Sequence, residues 1–360
     1  MIKNLLKNTD WVILLIVTIL FVIGVIGIYS AGYNTELYKF DYIKQIIFFG
    51  IMIIPISIVW IVSYRIFDIF GILTYIGSLG LLVLVLFTRP IYGATSWFDL
   101  EFMSFQPSEL MKIGYILTTA YALVKFKKYN YLIAILLVLP IIGLLALQPD
   151  LGTAMSFAVI CAIMLFVSGF KYRYIFVALV ILSIIVVLAY NFVLNDIQKA
   201  RIDVFFDPTL DPLGSGYNAI QSKMSVGAGM LFGTGITNGV QTQYGLLPVK
   251  TSDFIYSALS EELGFIVSIL IIVLFVILIV KILLHARREK DLFAKYILSG
   301  IAGMYIFHFI QNIGMTMGLL PITGVPLPFV SYGGSNLITN LIAMAIVLNI
   351  TGRSKKDFEF

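Results

Sequence analysis

Long apolar runs, broken by short polar or glycine-containing segments, organise the whole chain. A helix that crosses a membrane needs about 20 apolar residues in succession. Ten segments meet or approach that length: about 11–30, 42–62, 66–88, 108–125, 131–147, 151–169, 173–194, 253–281, 293–318 and 335–351. The pattern predicts an all-α polytopic membrane protein, a single integral membrane domain over 1–360 with about ten transmembrane helices. One connection, about 195–252 between helices 7 and 8, is long, too polar to span, and holds eight glycines between Gly214 and Gly245. Such long loops are usually functional or disordered. Its apolar residues are interleaved rather than absent, so order is expected, with short helices lying on the membrane face. A second irregular stretch, LLPITGVPLPFVSYGGSN at 319–336, carries three prolines and three glycines. It cannot be a regular helix. Irregular backbone at membrane depth is tolerated only inside protein or beside a cavity, so a re-entrant or capping loop is expected, with a structural role for most of its residues.

Composition agrees. The chain is 60% hydrophobic and 12% charged, against about 25% charged in soluble domains. Its net charge of +5 does not argue for nucleic acid, because basic residues in a membrane protein are first of all topology signals. An even number of spans puts both termini on one side. If that side is the cytoplasm, 16 of the 24 basic residues fall in inside segments, and the loop 195–252 is external. Cys161 stands alone, which excludes a disulfide framework. His285 and His308 are far apart in sequence and suggest no metal site. MIKNLLKNTDW leads into the first run with no small-residue cleavage site after it, so that run reads as a retained helix. No GxxxxGK[ST] motif follows a strand, which argues against nucleotide binding.

The acidic residues Glu109, Asp150, Asp253, Glu261 and Glu262 all fall near the outer end of the predicted spans. Carboxylates in a membrane are costly and are candidates for function. The stretch QTQYGLLPVKTSDFIYSALSEELG at 241–264 is central. A helix starting near Ser252 puts Asp253, Tyr256, Ser257, Ser260, Glu261 and Gly264 roughly on one face. Asp253 then either caps the helix, as the dipole favours, or faces a polar cavity. Two further segments, FQPSELMK at 105–112 and LQPDLGTA at 147–154, both place Pro where the first helical position is expected. They run in the same direction, unlike the inverted repeats of many transporters. Glu109 and Lys112 share a helix face. They form either a local ion pair or a Lys112 held for an anionic headgroup and oriented by Glu109.

QPSELMK, QPDLGTA, DPLGSGY at 211–217, TSDFIYSALSEELGF at 251–265 and NIGMTMGLLPITGVPLPFVSYGGS at 312–335 together closely resemble the SEDS family (shape, elongation, division and sporulation). The match runs in order over nearly the whole chain. NGVQTQ at 238–243 and NIGMTMG at 312–318 look more like its RodA elongation branch than its FtsW division branch. The resemblance implies a peptidoglycan glycosyltransferase in the bacterial cytoplasmic membrane. Such enzymes polymerise lipid II at the outer face, with a class B penicillin-binding protein as partner and membrane lipid around them. It marks Asp253 as the essential acid. The family usually has Thr before this Asp and often Glu after the Leu-Pro. Here Ser252 keeps the hydroxyl, and Val249 excludes a carboxylate.

The implied reaction joins a sugar hydroxyl to an anomeric carbon carrying diphosphate, with inversion. It needs a base and positive charge for the leaving group. Asp253 is the expected base. Lys112 and Arg201 are the expected diphosphate contacts, Arg for its planar fork. Glu109, Asp150, Ser252 and Glu261 complete the candidate substrate-binding set. A divalent cation, Mg²⁺ or Mn²⁺, is an alternative source of part of the charge. Three other readings compete: a lipid II flippase, which needs a polar path through both leaflets; a proton-coupled transporter relaying through Asp150 and Asp253; and a non-catalytic scaffold, which tolerates loss of Asp253.

Overall fold

The structure is a computed structural model. It describes residues 8–89, 95–100, 103–126, 130–171, 173, 199, 203–211 and 214–353. Helices dominate: α1 (Trp11–Gly32), α2 (Asp41–Ile61), α3 (Phe67–Leu84), α4 (Pro107–Lys125), α5 (Asn130–Leu147), α6 (Leu151–Val167), α7 (Ser215–Ala228), α8 (Ile255–Arg288), α9 (Leu292–Thr316) and α10 (Gly334–Thr351). Among the described residues, six segments are long and apolar enough to cross a membrane: α1, α2, Tyr64–Phe87 around α3, α8, α9 and α10; α5 and α6 are shorter apolar helices. Nine of the predicted spans thus coincide with helices, and the chain is a multi-pass membrane protein. Apart from Arg173, the predicted span at 173–194 lies outside the described residues.

Local chemistry starts several of these helices. The Asp10 carboxylate accepts from the amides of Val12 and Ile13 at 3.2 and 3.4 Å and caps α1. Pro107 occupies the first turn of α4, where a missing amide costs nothing. The parallel expectation for QPDLGTA needs correction. There Asp150 is the cap, accepting from Thr153 N at 3.1 Å, so Pro149 precedes the helix.

Burial sorts the helices into layers. In the spanning window of α10, 83% of residues are buried inside the protein, against 17% in α2. α9 and α10 are therefore central, and α2 presents most of its surface outward. α4 is also central, packed against α3, α5 and α9. This explains its lower apolarity: Glu109, Lys112, Thr118 and Thr119 are buried among neighbouring helices instead of meeting lipid.

Two features depart from the predicted picture. A short antiparallel hairpin, β1 (Phe98–Leu100) with β2 (Met103–Phe105), precedes α4, with Asp99 opposite Ser104. An all-α description omits it. The expected straight helix from 253 is also broken. α8 starts at Ile255 and kinks at Gly264, whose φ of 77° is left-handed. A Cβ at Gly264 would lie 2.3 Å from Gly233 N, so both the dihedral and the close approach require glycine. The kink strands backbone groups, and the long loop satisfies them. Thr234 N and Gly235 N donate to the carbonyls of Glu261 and Glu262 at 3.0 Å, and Phe265 N donates to Met230 O at 2.8 Å.

Candidate active site

The segment Thr251–Asp253 is a turn ahead of α8, not its first helical turn. The cap position is Phe254, and no side chain caps the helix. Asp253 therefore does not cap, which corrects one of the two readings above. Two distant elements, the stretch ahead of α10 and α9, hold the backbone of the turn. Tyr332 N donates to Thr251 O at 2.9 Å, Ser331 Oγ to Ser252 O at 2.7 Å, and Asn312 Nδ2 to Asp253 O at 3.0 Å. Thr251 Oγ1 also donates to the Asp41 carboxylate at 3.2 Å. The backbone of Asp253 is thus fixed while its side chain is lightly held. The Ser252 hydroxyl donates to Oδ1 at 3.2 Å. The other oxygen faces Gly324, where an added Cβ would lie 3.3 Å away. Gly324 has a φ of 69°. Burial pushes the Asp253 carboxyl up to about 6, and the Ser252 hydroxyl offsets part of that rise.

The stretch Leu319–Tyr332 is irregular, as its prolines require, and ties the site together. Asn312 Nδ2 also donates to Val325 O at 2.9 Å. Pro326 O lies 3.2 Å from His308 Nδ1. His308 Nε2 lies 3.0 Å from Lys112 Nζ, which is 2.9 Å from Glu109 Oε1. Lys112, Glu109 and His308 are all buried. On the other flank, Thr323 and Val325 pack against Gly152, in the first turn of α6. Beside it Asp150 accepts from Gln106 Nε2 at 3.0 Å, within electrostatic reach of Lys112. One loop therefore borders Asp253 directly and reaches Lys112 through His308 and Asp150 through Gly152.

The other candidates fall into different places. Ser252 touches Asp253 directly. Glu261 does not join this group. Its carboxylate takes Gln241 N at 2.7 Å, Thr242 N at 2.9 Å and Thr242 Oγ1 at 2.6 Å, and it is fully buried. It anchors the long loop to α8, a correction to its place in the substrate-binding set. Arg201 lies outside the described residues. Among the described residues, no group of three or more His, Cys, Asp and Glu side chains converges as a metal site would.

Sequence reasoning missed His308, Gln106, Asn312 and Gly324. A signal existed for two of them. His308, Gln311 and Asn312 recur at helical spacing inside an apolar run, the mark of a buried polar stripe. Nothing local announced that His308 meets Lys112, 196 residues earlier.

Spanning helices gathered around a carboxylate-bearing turn at one end of the bundle define a polytopic membrane protein with polar chemistry at that end. The family model FTSW_RODA_SPOVE, described as cell cycle protein, matches residues 10–356, and the chain belongs to that family. It is 32% identical to the peptidoglycan glycosyltransferase RodA of Treponema pallidum, over 96% of this chain and 98% of that protein. Several solved structures share the fold. One, described as structural coordination of polymerization and crosslinking by a peptidoglycan synthase complex, superposes with a TM-score of 0.82 at 31% identity, covering 98% of this chain and 99% of that one. The crystal structure of the rod shape determining protein RodA of Thermus thermophilus gives 0.71 at 28%, covering 95% and 96%.

Proposed function

We propose that this protein is a RodA-like peptidoglycan glycosyltransferase that polymerises lipid II for cell elongation. The observation that carries the reading is Asp253: a carboxylate on a rigidly held turn, with one hydroxyl donor, poised near neutral pH. A general base works best when its pKa lies near the operating pH. At pH 7 a carboxyl near 6 is ionised, yet is a better proton acceptor than an ordinary aspartate.

In the proposed reaction Asp253 accepts the proton of the acceptor sugar hydroxyl as its oxygen attacks the anomeric carbon. The bond to the diphosphate breaks with inversion. Arg201 is assigned to the leaving diphosphate. Lys112 supplies positive charge from its buried pair with Glu109, and Asp150 and Gln106 position the neighbouring wall. Mg²⁺ is commonly held by one or two carboxylates plus substrate phosphates, and the lipid diphosphate would supply the phosphate share of such a site. A cation there would neutralise part of the leaving group's charge.

The proposed topology has ten spans, both termini in the cytoplasm and residues 195–252 outside, supported by the 16 basic residues of 24 on the inner side. Labelling of whole cells by an impermeant thiol reagent should reach Asp207→Cys and not Lys355→Cys; the reverse pattern inverts the orientation. The proposed partner is a class B penicillin-binding protein, in line with the synthase complex above. The direct test is purified protein with fluorescent lipid II, with and without that partner, resolved on a gel. Glycan strands are expected. Lipid II that remains monomeric in both arms rejects the reading.

A further inference from the structure

A second polar site lies at the other end of the bundle. Three chain segments converge there: Tyr64, Arg65 and Asp68 at the start of α3, Tyr121 and Lys125 in the last turns of α4, and Asp291 ahead of α9. They border a cleft of about 270 Å³, several times the roughly 30 Å³ of one water. We infer that this cleft binds the headgroup of a membrane phospholipid carrying both a phosphate and an ammonium group.

The floor is rigid. Tyr64 Oη donates to Asp291 Oδ2 at 2.5 Å, and Phe293 N donates to Asp291 Oδ1 at 2.8 Å. The Tyr64 ring stacks on Phe293 with centroids 6.4 Å apart, and the Arg353 guanidinium lies 5.9 Å from its centroid. Asp291 is thereby satisfied within the protein. The rim is different. Arg65 and Lys125 are exposed, and among the described residues neither lies within ion-pair distance of a carboxylate. The Lys125 ammonium sits 4.8 Å from the Tyr121 ring centroid, which holds it at the cleft. Asp68 uses Oδ1 to accept from Ile69 N at 2.6 Å.

Two such cations suit a phosphate, Arg through its paired donors. A carboxylate beside them suits an ammonium and disfavours a purely anionic head. The surroundings favour a lipid over a soluble phosphate compound. Ile66 just ahead of α3, Ile69 and Phe70 on α3, and Phe126 after α4 are exposed apolar side chains that neighbour the cleft residues in sequence. Acyl chains attached to a headgroup there have an apolar wall to follow, at the level where spanning helices end and lipid phosphates lie.

The test uses the full-length protein purified in mild detergent, with bound lipid counted by native mass spectrometry. Dioleoylphosphatidylethanolamine, dioleoylphosphatidylglycerol and dioleoylphosphatidylcholine are offered in competition, and soluble phosphoethanolamine is added in a separate arm. The wild type should retain the ethanolamine lipid over the other two. The double variant Arg65→Gln, Lys125→Gln should lose on the order of tenfold in retention, as expected when charge-assisted bonds to phosphate are removed. Asp68→Asn should shift preference toward the glycerol lipid. Arg287→Gln, at the same face outside the cleft, should change neither. Unchanged retention in the double variant, or equal loss in Arg287→Gln, overturns the site. Displacement by phosphoethanolamine at matched concentration overturns the lipid assignment. Arg65, Lys125 and Arg287 are exposed and Asp68 is half-buried, so melting curves of the variants should overlay the wild type and show that loss of lipid is not loss of fold.

Discussion

Asp253 and Glu261 stand eight residues apart on the same segment, and the structure treats them in opposite ways. Glu261 is enclosed by three donors from the long loop and has no acceptor capacity turned outward. Among the described residues, Asp253 has a fixed backbone and a single side-chain donor, the neighbouring Ser252. A satisfied buried carboxylate is a fastener. A carboxylate held in place but left short of partners is available for chemistry. Spacing along the chain groups the two, whereas hydrogen bonding separates them.

The sharpest test exchanges each acid for its amide. Asp253→Asn should lower glycan polymerisation by about 10²–10⁴-fold, the usual cost of losing a general base. Its melting temperature should match or exceed the wild type, because burial already disfavours the ionised form. Glu261→Gln should do the reverse. Leaving buried donors poorly paired costs about 1–3 kcal/mol, while the rate per folded molecule stays within a few-fold. Gel assays beside thermal melts separate the outcomes. An active Asp253→Asn, or a stable but inactive Glu261→Gln, breaks the comparison.

The contrast also shows where the sequence is legible. Apolar run lengths located α1 to α6 and α8 to α10 because lipid imposes a length and a composition on each helix separately. Asp253 came from a motif, and Ser252 is its neighbour in the chain. The role of Glu261 was not legible, since its partners lie in a loop about 20 residues earlier that folds back onto the Gly264 kink. The Lys112–His308 contact was hidden for the same reason. Local pattern reports which side chains a helix presents, and says little about what a distant segment will set against them.

The second prediction concerns pH. With its carboxyl near 6, Asp253 must be ionised to act, so the rate should fall about tenfold per unit well below pH 6. The sign for stability is opposite. A folded-state pKa raised from 3.8 to about 6 contributes stability that is full below the unfolded value and lost as pH rises through the folded one. Between about pH 4 and 6 activity should therefore climb while this group's contribution to stability declines. An acid limb centred near 4 in the rate profile removes the claim that burial tunes this group.

Gly324 offers a third, smaller perturbation. Alanine there must adopt a φ of 69° and place its Cβ 3.3 Å from Asp253 Oδ2. The backbone strain is roughly 1–2 kcal/mol, and the carboxylate must shift by a few tenths of an ångström. Since a 1 Å misplacement can cost about 10²-fold, Gly324→Ala should lose about tenfold in kcat with KM less affected. A rate equal to the wild type would mean that the face of Asp253 toward Gly324 is not where the acceptor sugar binds.

The smallest expected effect is the most specific to the contrast between the two acids. Ser252 supplies the one side-chain donor that Asp253 has among the described residues, and that bond lowers the carboxyl against the upward push of burial. Ser252→Ala removes it without touching the backbone, since Ser252 O still accepts from Ser331 Oγ. The carboxyl should then rise further, and the acid limb of the rate profile should move to higher pH. At pH 7 a smaller fraction of Asp253 is ionised, so the rate should fall by about two- to threefold and recover at higher pH. Ser252→Thr restores the hydroxyl and should restore the profile. The equivalent change at Glu261, Thr242→Ala, removes one of three donors and should leave the pH profile where it is. If Ser252→Ala leaves the limb unmoved, the hydroxyl does not set the proton affinity of Asp253, and the difference between the two acids lies in access to substrate alone.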